Sequence, residues 1–303
     1  MKSGNQKYHF AVFGDIHGRV ALMYTLAFLW QNESGINLSG ILQVGDMGAF
    51  PNPLNVDKAT KKYAKLDPDE LEFHKFCTRT PISEFYLNRQ NAINTYFIRG
   101  NHEDFDYLNS ISRQKTVDPW QRLHFIPDGQ QVTLFRSDYP IIIGGFGGIP
   151  PSTEHRARGK KARQKYRKAC HKASYDPRFF SEDLVMSAFS DCEKIDILMT
   201  HAGPQCPELQ CGSIYLTELA KRINPKVHLF GHHHQIVRPC KGPGNSLLVG
   251  LEHLNFNKNG ELKDGSWGIL TLSGKSAIFT FSSPQNLLFL KKVKRETYRS
   301  LLN

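Results

Sequence analysis

Five short fragments of this chain carry side chains that can bind metal ions. They are 14–18 (GDIHG), 45–46 (GD), 100–103 (GNHE), His201 and 231–234 (GHHH). Mixed oxygen and imidazole donors of this kind suit Mn²⁺, Fe²⁺ or Zn²⁺, and they lack the thiolates of a purely structural zinc site. Two such cations held a short distance apart can promote the hydrolysis of phosphate esters. A pair of divalent metal ions is therefore the first hypothesis.

The apolar run before each fragment predicts a β-strand. These runs are short and rich in β-branched and aromatic residues, and they cover residues 8–13, 41–44, 95–99, 195–200 and 227–230. Strand ends in an α/β sheet open onto one shared crevice, so donors far apart in the chain can converge there.

The stretches between the strands predict helices over 20–33, 69–78, 181–192 and 215–222. Alternating strands and helices favour an α/β fold with a mostly parallel sheet. From Ser246 onward strand patterns dominate, which predicts a second, antiparallel sheet packed on the first. We therefore expect a four-layer αββα sandwich of two mixed β-sheets flanked by helices.

Length and composition restrict the organisation of the chain. Because the fragments are spread from Asp15 to His234, we expect residues 1–283 to form one domain, with an insertion at about 150–180 and a basic tail over 284–303. No run approaches the roughly 18 apolar residues that cross a bilayer, so no membrane partner is expected. Six scattered cysteines fit a reducing, cytoplasmic setting. Cys206, Cys211 and Cys240 leave a zinc half-site open as an alternative.

The net charge of +11 is concentrated in one segment. Residues 156–178 hold ten Lys or Arg and a single acid, Asp176, with Tyr166 and Tyr175 among them. Basic and aromatic residues together are typical of single-stranded nucleic-acid binding, whereas a solvated loop is the simpler alternative. We call this segment the basic arm. Its predicted nucleic-acid-binding residues are Arg156, Arg158, Lys160, Lys161, Arg163, Lys165, Arg167 and Lys168.

The five fragments, in this order, resemble the blocks D-x-H, G-D, G-N-H-[E/D], H and G-H-x-H of the calcineurin-like metallophosphoesterases, over residues 8–236. The resemblance implies two divalent ions (Mn, Fe or Zn) and a phosphate-ester substrate. It implies that Asp15, His17 and His234 hold one ion, that Asn101, His201 and His232 hold the other, and that Asp46 bridges both. Water shared by the ions would attack phosphorus in line. His102 would act as general acid, oriented by Glu103.

Each of these residues also has a simpler interpretation. Asp15 or Asp46 alone fits a helix cap, and Asn101 alone fits a turn. His233 lies between two predicted ligands on a strand end, so it should point away from them and pack. Five further histidines are expected at the surface or in the core: His9, His74, His124, His228 and His253.

A narrower resemblance concerns the RNA lariat debranching enzymes, which hydrolyse 2′,5′-phosphodiesters. It rests on residues 45–50 (GDMGAF), on 144–149 (GGFGGI) and on the basic arm. Those enzymes commonly carry cysteine where this chain has Asp15. The sequence thus predicts a phosphodiesterase acting on RNA or another nucleic acid, of open oligomeric state.

Two alternatives remain from the sequence. A phosphomonoesterase of the protein phosphatase or dinucleoside-tetraphosphatase type would continue its second block as G-D-x-V-D-R-G, and the arginine of that block is absent here. A non-catalytic scaffold would be expected to have lost ligands, whereas all seven are present.

Overall fold

The computed structural model of the protein describes residues 6–112, 114, 116–135, 140–151, 171, 175–192, 194–209, 211–274 and 276–302. The basic residues predicted to bind nucleic acid, 156–168, lie outside this part of the chain. The strands are β1 (Lys7–Phe13), β2 (Gly40–Gln43), β3 (Thr95–Phe97), β4 (Leu123–Phe125), β5 (Gln130–Leu134), β6 (Ile141–Phe146), β7 (Ile197–Thr200), β8 (Val227–Phe230), β9 (Val237–Lys241), β10 (Leu247–Gly250), β11 (Trp267–Ser273) and β12 (Ser276–Phe281).

The α-helices are α1 (Val20–Ser34), α2 (Lys58–Tyr63), α3 (Pro81–Leu87), α4 (Phe105–Ile111), α5 (Glu182–Ser187) and α6 (Ile214–Ile223). Short 3-10 helices cover Pro68–Phe76, Pro243–Asn245, Leu288–Lys292 and Tyr298–Ser300. The stretch predicted as a helix over 69–78 is therefore a 3-10 helix. None of the helices described here combines the length and apolarity needed to cross a lipid bilayer.

The strands form two six-stranded sheets. The first has the order β12-β11-β1-β2-β3-β4. Strands β1 to β4 run parallel, β11 is antiparallel to β1, and β12 is antiparallel to β11. The second has the order β5-β6-β7-β8-β10-β9, with β6, β7, β8 and β10 parallel and the two edge strands antiparallel. Helices flank both sheets, and the predicted αββα sandwich of two mixed sheets is confirmed.

The predicted composition of the second sheet was wrong. Residues after Ser246 do not form a sheet of their own, because β11 and β12 extend the first sheet while β10 enters the second. Packing selects this partner: β11 lies antiparallel to β1, and the rings of Phe13 and Trp267 stack at 5.3 Å between centroids. A strand pattern predicts extended backbone, but it does not identify the neighbouring strand.

Alternating side chains of β1 join two different cores. Phe10 and Val12 lie between the sheets in a cluster that includes Ile143 and Met199 of the second sheet. Phe13, on the opposite face, packs in the cluster that contains α1. Because β1 is buried on both faces, its carboxyl end is held rigidly, and the first metal-binding fragment follows directly from it.

The segment predicted as a basic tail packs against this domain. The side chains of Phe289, Leu290 and Tyr298 are buried in the same core as α1. The backbone N–H groups of Leu288 and Phe289 donate to the carboxylate of Glu33 at 3.0 and 3.1 Å. The described part of 284–303 is thus continuous with the fold rather than a separate tail.

Candidate metal centre

The carboxyl ends of strands from both sheets meet at one crevice. Asp15 and Asp46 follow β1 and β2 in the first sheet, whereas His201 follows β7 in the second. His201 Nε2 lies 3.5 Å from Asp46 Oδ2, and His201 Nδ1 lies 3.9 Å from Asp15 Oδ1. The two halves of the donor set, separated by more than 150 residues of chain, therefore share one small volume.

The other predicted ligands surround this pair of carboxylates. His234 Nε2 is 3.2 Å from Asp15 Oδ2, and His17 Nε2 is 3.9 Å from Asp46 Oδ2. Asn101 Oδ1 is 3.1 Å from His201 Nε2, and the rings of His201 and His232 have centroids 5.0 Å apart. All seven residues predicted as ligands are brought together, while their division between two ions stays a prediction.

Ligand atoms of three residues approach within 4.8 Å of one another in three groups of the described chain: Asp15, His17 and His234; Asp15, Asp46 and His201; and His234, Glu252 and His253. The first group is the trio assigned to one ion from the sequence. No cysteine belongs to any of these groups in the part of the chain described here, so a zinc site at Cys206, Cys211 and Cys240 gains no support.

Two carboxylates are buried at the centre, which is costly unless opposite charge is close by. Asp15 and Asp46 are 0% and 1% exposed. Burial alone raises a carboxyl pKa, but the charge of His201 and nearby donors hold the pKa of Asp15 below its usual range and that of Asp46 well below it. Burial lowers the pKa of His201, but the carboxylates of Asp46 and Asp15 outweigh burial and raise that pKa to about 9.

The imidazoles beside the carboxylates are suited to ligation. Burial lowers the pKa of His17 to about 4 and that of His232 to about 3, so both rings are neutral near pH 7. A neutral imidazole offers a nitrogen lone pair, the form required for a metal bond. Two buried anionic carboxylates, the neutral imidazoles of His17 and His232 and an amide oxygen therefore fit divalent cations, and His201, whose pKa is raised, must release a proton to bind one.

Four predicted ligands have a backbone in the left-handed region, which residues other than glycine rarely adopt. The φ angles are 42° at His17, 48° at Asp46, 63° at His232 and 47° at His234. Such residues cost on the order of 1–3 kcal/mol each and concentrate at functional sites. Packing of the two sheets imposes these turns and directs the four side chains into one crevice.

Glycines at two strand ends allow the carboxylates to approach the backbone. A Cβ added to Gly100 would lie 2.0 Å from Asp46 Oδ1, and one added to Gly231 would lie 2.2 Å from Asp15 Oδ1. Asp46 Oδ1 occupies the space beside Gly100, and there it accepts the N–H groups of Asn101 and His102 at 2.6 and 2.7 Å. The glycines of the G-N-H and G-H-x-H blocks thus have a steric function.

His102 is oriented by a residue outside the five fragments. Its Nδ1 lies 3.0 Å from Oδ2 of Asp57, the residue that caps α2. Burial opposes protonation of His102, but Asp57 and Asp46 outweigh it and raise the pKa of the imidazole. Burial likewise opposes ionisation of Asp57, and its hydrogen bonds lower the pKa of the carboxyl to about 2.

The orienting role predicted for Glu103 is corrected by these contacts. The buried carboxylate of Glu103 accepts N–H groups from Met47 at 2.9 Å, Ala49 at 2.6 Å and Gly100 at 3.1 Å. It is directed at backbone, because the chain turns after His102 and places consecutive side chains on opposite sides. Glu103 therefore holds the loop after β2 against the end of β3, and Asp57 holds the imidazole.

A cavity of about 460 Å³ opens in front of these residues. It is lined by His17, Asp46, Ala59, Thr60, Tyr63, Glu70, Asn101, His102, His232, His234, His253 and Asn255. His253, expected without a functional neighbour, is in fact at this wall, where its Nδ1 lies 2.5 Å from Glu252 Oε1. His233 points away as expected, and its Nε2 accepts the Gly203 N–H at 2.9 Å.

Asp57, Tyr63, His253 and Asn255 were missed by reasoning from the sequence. None belongs to a metal-binding block. Tyr63, His253 and Asn255 reach the cavity, and Asp57 reaches His102, only because a loop or short helix folds over the strand ends. A single histidine or asparagine in a loop carries no local pattern that distinguishes it from a surface residue.

An α/β sandwich with clustered carboxylate and imidazole donors at its strand ends defines a metal-binding hydrolase. The family model described as calcineurin-like phosphoesterase matches residues 8–236, more than half of the chain. The chain belongs to the calcineurin-like phosphoesterase family. It is accordingly a metal-dependent phosphoesterase, a hydrolase that acts on phosphoric esters.

Comparison with solved structures gives distant matches. The protein TT1561 of Thermus thermophilus is 15% identical, with a TM-score of 0.43 over 91% of this chain and 99% of that one. A phosphatase from Mycoplasma pneumoniae is 8% identical, with a TM-score of 0.44 over 94% and 100%. Haemophilus influenzae NAD nucleotidase is 14% identical, with a TM-score of 0.41 over 92% and 55%. A search of curated proteins finds no match.

Proposed function

We propose that the protein hydrolyses phosphodiester bonds, in RNA or another nucleic acid, with two divalent cations. Asp15, His17 and His234 would hold one cation, Asn101, His201 and His232 the other, and Asp46 both. When bound, the cations supply an acidified water as nucleophile and neutralise charge on the phosphoryl oxygens.

The charge of the cavity wall carries the preference for a diester. The described residues that line it include no lysine or arginine, but they include the acid Glu70. The nearby Arg19 is 1% exposed and paired with acids, with its guanidinium 2.8 Å from Asp67 and 3.0 Å from Glu70. A cationic side chain beside the metal ions strengthens binding of a monoester dianion, whereas a diester carries one negative charge fewer. The wall therefore favours a diester.

In this proposal His102 transfers a proton to the leaving oxygen. Its Nδ1 faces Asp57, which leaves Nε2 as the nitrogen that can donate into the cavity. Asp57 also stabilises the protonated imidazole electrostatically, in the manner of a carboxylate beside a catalytic histidine. Proton donation at Nε2 would promote departure of a poor leaving group such as a sugar hydroxyl.

A 2′,5′ branch point is the narrower form of this proposal, and one of its supports has a structural explanation. A Cβ at Gly144 would lie 2.6 Å from Ile195, and one at Gly145 would lie 2.7 Å from Ile98 and Ile126. Gly144 and Gly145 are therefore required for packing of β6, whatever the substrate. The remaining supports are the loop at 45–50 and the basic arm.

The test is a substrate comparison with protein reconstituted in Mn²⁺. The substrates are bis-p-nitrophenyl phosphate, p-nitrophenyl phosphate, linear RNA and branched RNA, and kcat/KM is measured for each. We expect the diester to be preferred over the monoester and RNA to be cleaved. Preference for p-nitrophenyl phosphate would instead identify a phosphomonoesterase, and absence of turnover on all four would identify a scaffold.

A further inference from the structure

Helix α2 forms one wall of the cavity and is fixed to the candidate general acid. Asp57 Oδ1 accepts the N–H groups of Ala59 and Thr60 at 2.7 and 3.1 Å, while Oδ2 lies 3.0 Å from His102 Nδ1. The helix is therefore held in register with the imidazole, and its further residues lie at set distances from the reacting centre.

One face of α2 looks into the cavity. Ala59 and Tyr63 are four residues apart, so they lie on the same side of the helix, and both line the cavity together with Thr60. Ala59 and Thr60 contribute small side chains beside the metal-binding residues. Tyr63 contributes an aromatic ring that is 51% exposed.

An aromatic ring in this position is not explained by the core. Other tyrosines of the same layer, such as Tyr24 and Tyr86, are 0% and 3% exposed and hydrogen-bonded to neighbours. Tyr63 instead presents its ring at the cavity, with the ammonium of Lys62 5.4 Å from the ring centroid. Lys58 and Lys61 of the same helix are also exposed. An exposed ring beside an ammonium group is an arrangement that stacks on a nucleobase and attracts phosphate.

The dimensions of the cavity agree with a ligand larger than a phosphate. A volume of about 460 Å³ falls within the roughly 300–1,000 Å³ of small-molecule sites. Tyr63 is six residues beyond Asp57, about 9 Å along the helix axis. That distance leaves room for a sugar between a phosphate at the metal-binding residues and a base at Tyr63. Asn255 and His253, which also line the cavity, add polar groups for the sugar or base.

We propose that the cavity binds a nucleotide, with its phosphate at the metal-binding residues and its base stacked on Tyr63. The inference rests on the proposed function and adds the part of the substrate that α2 recognises. It assigns substrate recognition to a described helix, independently of the basic arm.

Binding of adenosine 5′-monophosphate and ribose 5-phosphate to the Mn²⁺-loaded protein, measured by isothermal titration calorimetry, tests the base contact. The two ligands share phosphate and sugar, so their affinity ratio reports the base alone. We expect the nucleotide to bind roughly 5- to 150-fold more tightly, as one stacked base contributes. Tyr63→Leu should reduce this ratio to near one, and Tyr63→Phe, which keeps the ring, should preserve it.

Phenyl phosphate serves as a third ligand, because its ring is attached directly to phosphate and does not reach Tyr63. Its affinity should be the same in wild type and Tyr63→Leu. A ratio near one in the wild type, or a ratio that survives Tyr63→Leu, would overturn the nucleotide assignment while leaving phosphate binding intact. If ribose 5-phosphate and the nucleotide both failed to bind while bis-p-nitrophenyl phosphate was hydrolysed, the nucleotide assignment would be overturned and the proposed function retained. Failure of all three would overturn the phosphate site and the proposed function with it. Tyr63 is exposed, and equal metal content and circular dichroism of the variants confirm that the fold is retained.

Discussion

The carboxylate of Asp57 binds four groups at once. Oδ1 accepts the N–H groups of Ala59 and Thr60, and Oδ2 accepts the Thr60 hydroxyl at 2.9 Å while lying 3.0 Å from His102 Nδ1. A carboxylate held this firmly restricts the ring orientation of His102 and selects the tautomer with hydrogen on Nδ1. Asp57 is a positioning residue, because it acts on the reaction only through the imidazole.

Asp57→Asn should lower kcat roughly 10- to 100-fold on a diester with an alkyl leaving group. The amide can still cap α2, but its NH₂ group cannot accept the Nδ1 hydrogen of His102. Loss on a p-nitrophenyl ester should be smaller, because p-nitrophenolate departs without a proton. The measurement is kcat for both leaving groups at equal metal content.

The matched control is Asp104→Asn. Asp104 caps α4 by accepting the Tyr107 N–H at 3.0 Å, so the substitution changes a helix cap of the same kind on a different helix. Equal losses on the two leaving groups in Asp57→Asn would contradict the positioning role and indicate a general structural defect.

The residues of the centre fall into two groups: those that a local sequence pattern identifies, and those that it does not. Asp15, Asp46, Asn101 and His201 sit at strand ends, where a buried apolar run marks the position and the fold forces convergence. Asp57 follows no strand; its place is decided by how residues 47–57 cross the crevice, which depends on tertiary contacts such as those of Glu103 with Met47 and Ala49. Local patterns contain no information about such a crossing.

At the scale of elements, Asp196 joins three strands of the second sheet. The residue is 1% exposed and immediately precedes β7, which leads into His201. Its Oδ2 accepts the Ile142 N–H of β6 at 3.0 Å, and its Oδ1 lies 3.1 and 3.0 Å from the ammonium groups of Lys194 and Lys226. The carboxylate thus fixes the amino ends of β6, β7 and β8, opposite to the metal centre.

Asp196→Asn should destabilise the protein in a pH-dependent way. Burial opposes ionisation, but the Ile142 N–H and the two lysines outweigh it and lower the pKa of Asp196 below 3.8. A lowered folded-state pKa stabilises the fold above the unfolded pKa, and this stabilisation is lost as pH falls through the folded value. Because both lysines are partly exposed, we expect about 1–2 kcal/mol at pH 7.

Urea denaturation of wild type and Asp196→Asn at pH 7 and at pH 3 measures this effect. The difference in free energy of unfolding should shrink at the lower pH, while metal content and kcat at pH 7 stay near wild type. A difference that is independent of pH would show that the charge of Asp196 is not the source of the stability.

Sheet membership shows where element-scale prediction ends. The strand–helix alternation up to β8 determines a parallel order, because right-handed crossovers leave few topologies. After β8 no α-helix follows in the described part of the chain, and the later strands can join either sheet at low cost. β11 joins β1 through the stacked rings of Phe13 and Trp267, a contact between residues some 250 positions apart that periodicity does not encode.

For the whole molecule, the net charge of +11 sets how a polyanion approaches. The described cavity wall is without lysine and arginine, and the exposed Lys58, Lys61 and Lys62 of α2 are not part of its lining. Charge placed outside the reacting centre steers a long polyanion and raises its local concentration, and it does not compete with the metal-binding residues for the scissile phosphate. The distribution suits an extended nucleic acid better than a small phosphomonoester.

Replacing the lysines and arginines between Lys160 and Lys168 with glutamine should weaken RNA binding and flatten its salt dependence. If the basic arm contacts about six phosphates, log K of the wild type should fall by ~4–5 for each tenfold rise in salt. Fluorescence anisotropy with labelled single-stranded RNA across a salt series measures the slope.

Lys291→Gln combined with Lys292→Gln is the control, because these residues lie on a 3-10 helix whose neighbours pack against α1. An unchanged slope in the arm variant would place the binding surface elsewhere. Because the arm acts before the chemical step, kcat on bis-p-nitrophenyl phosphate should stay at the wild-type value, which separates steering of RNA from catalysis.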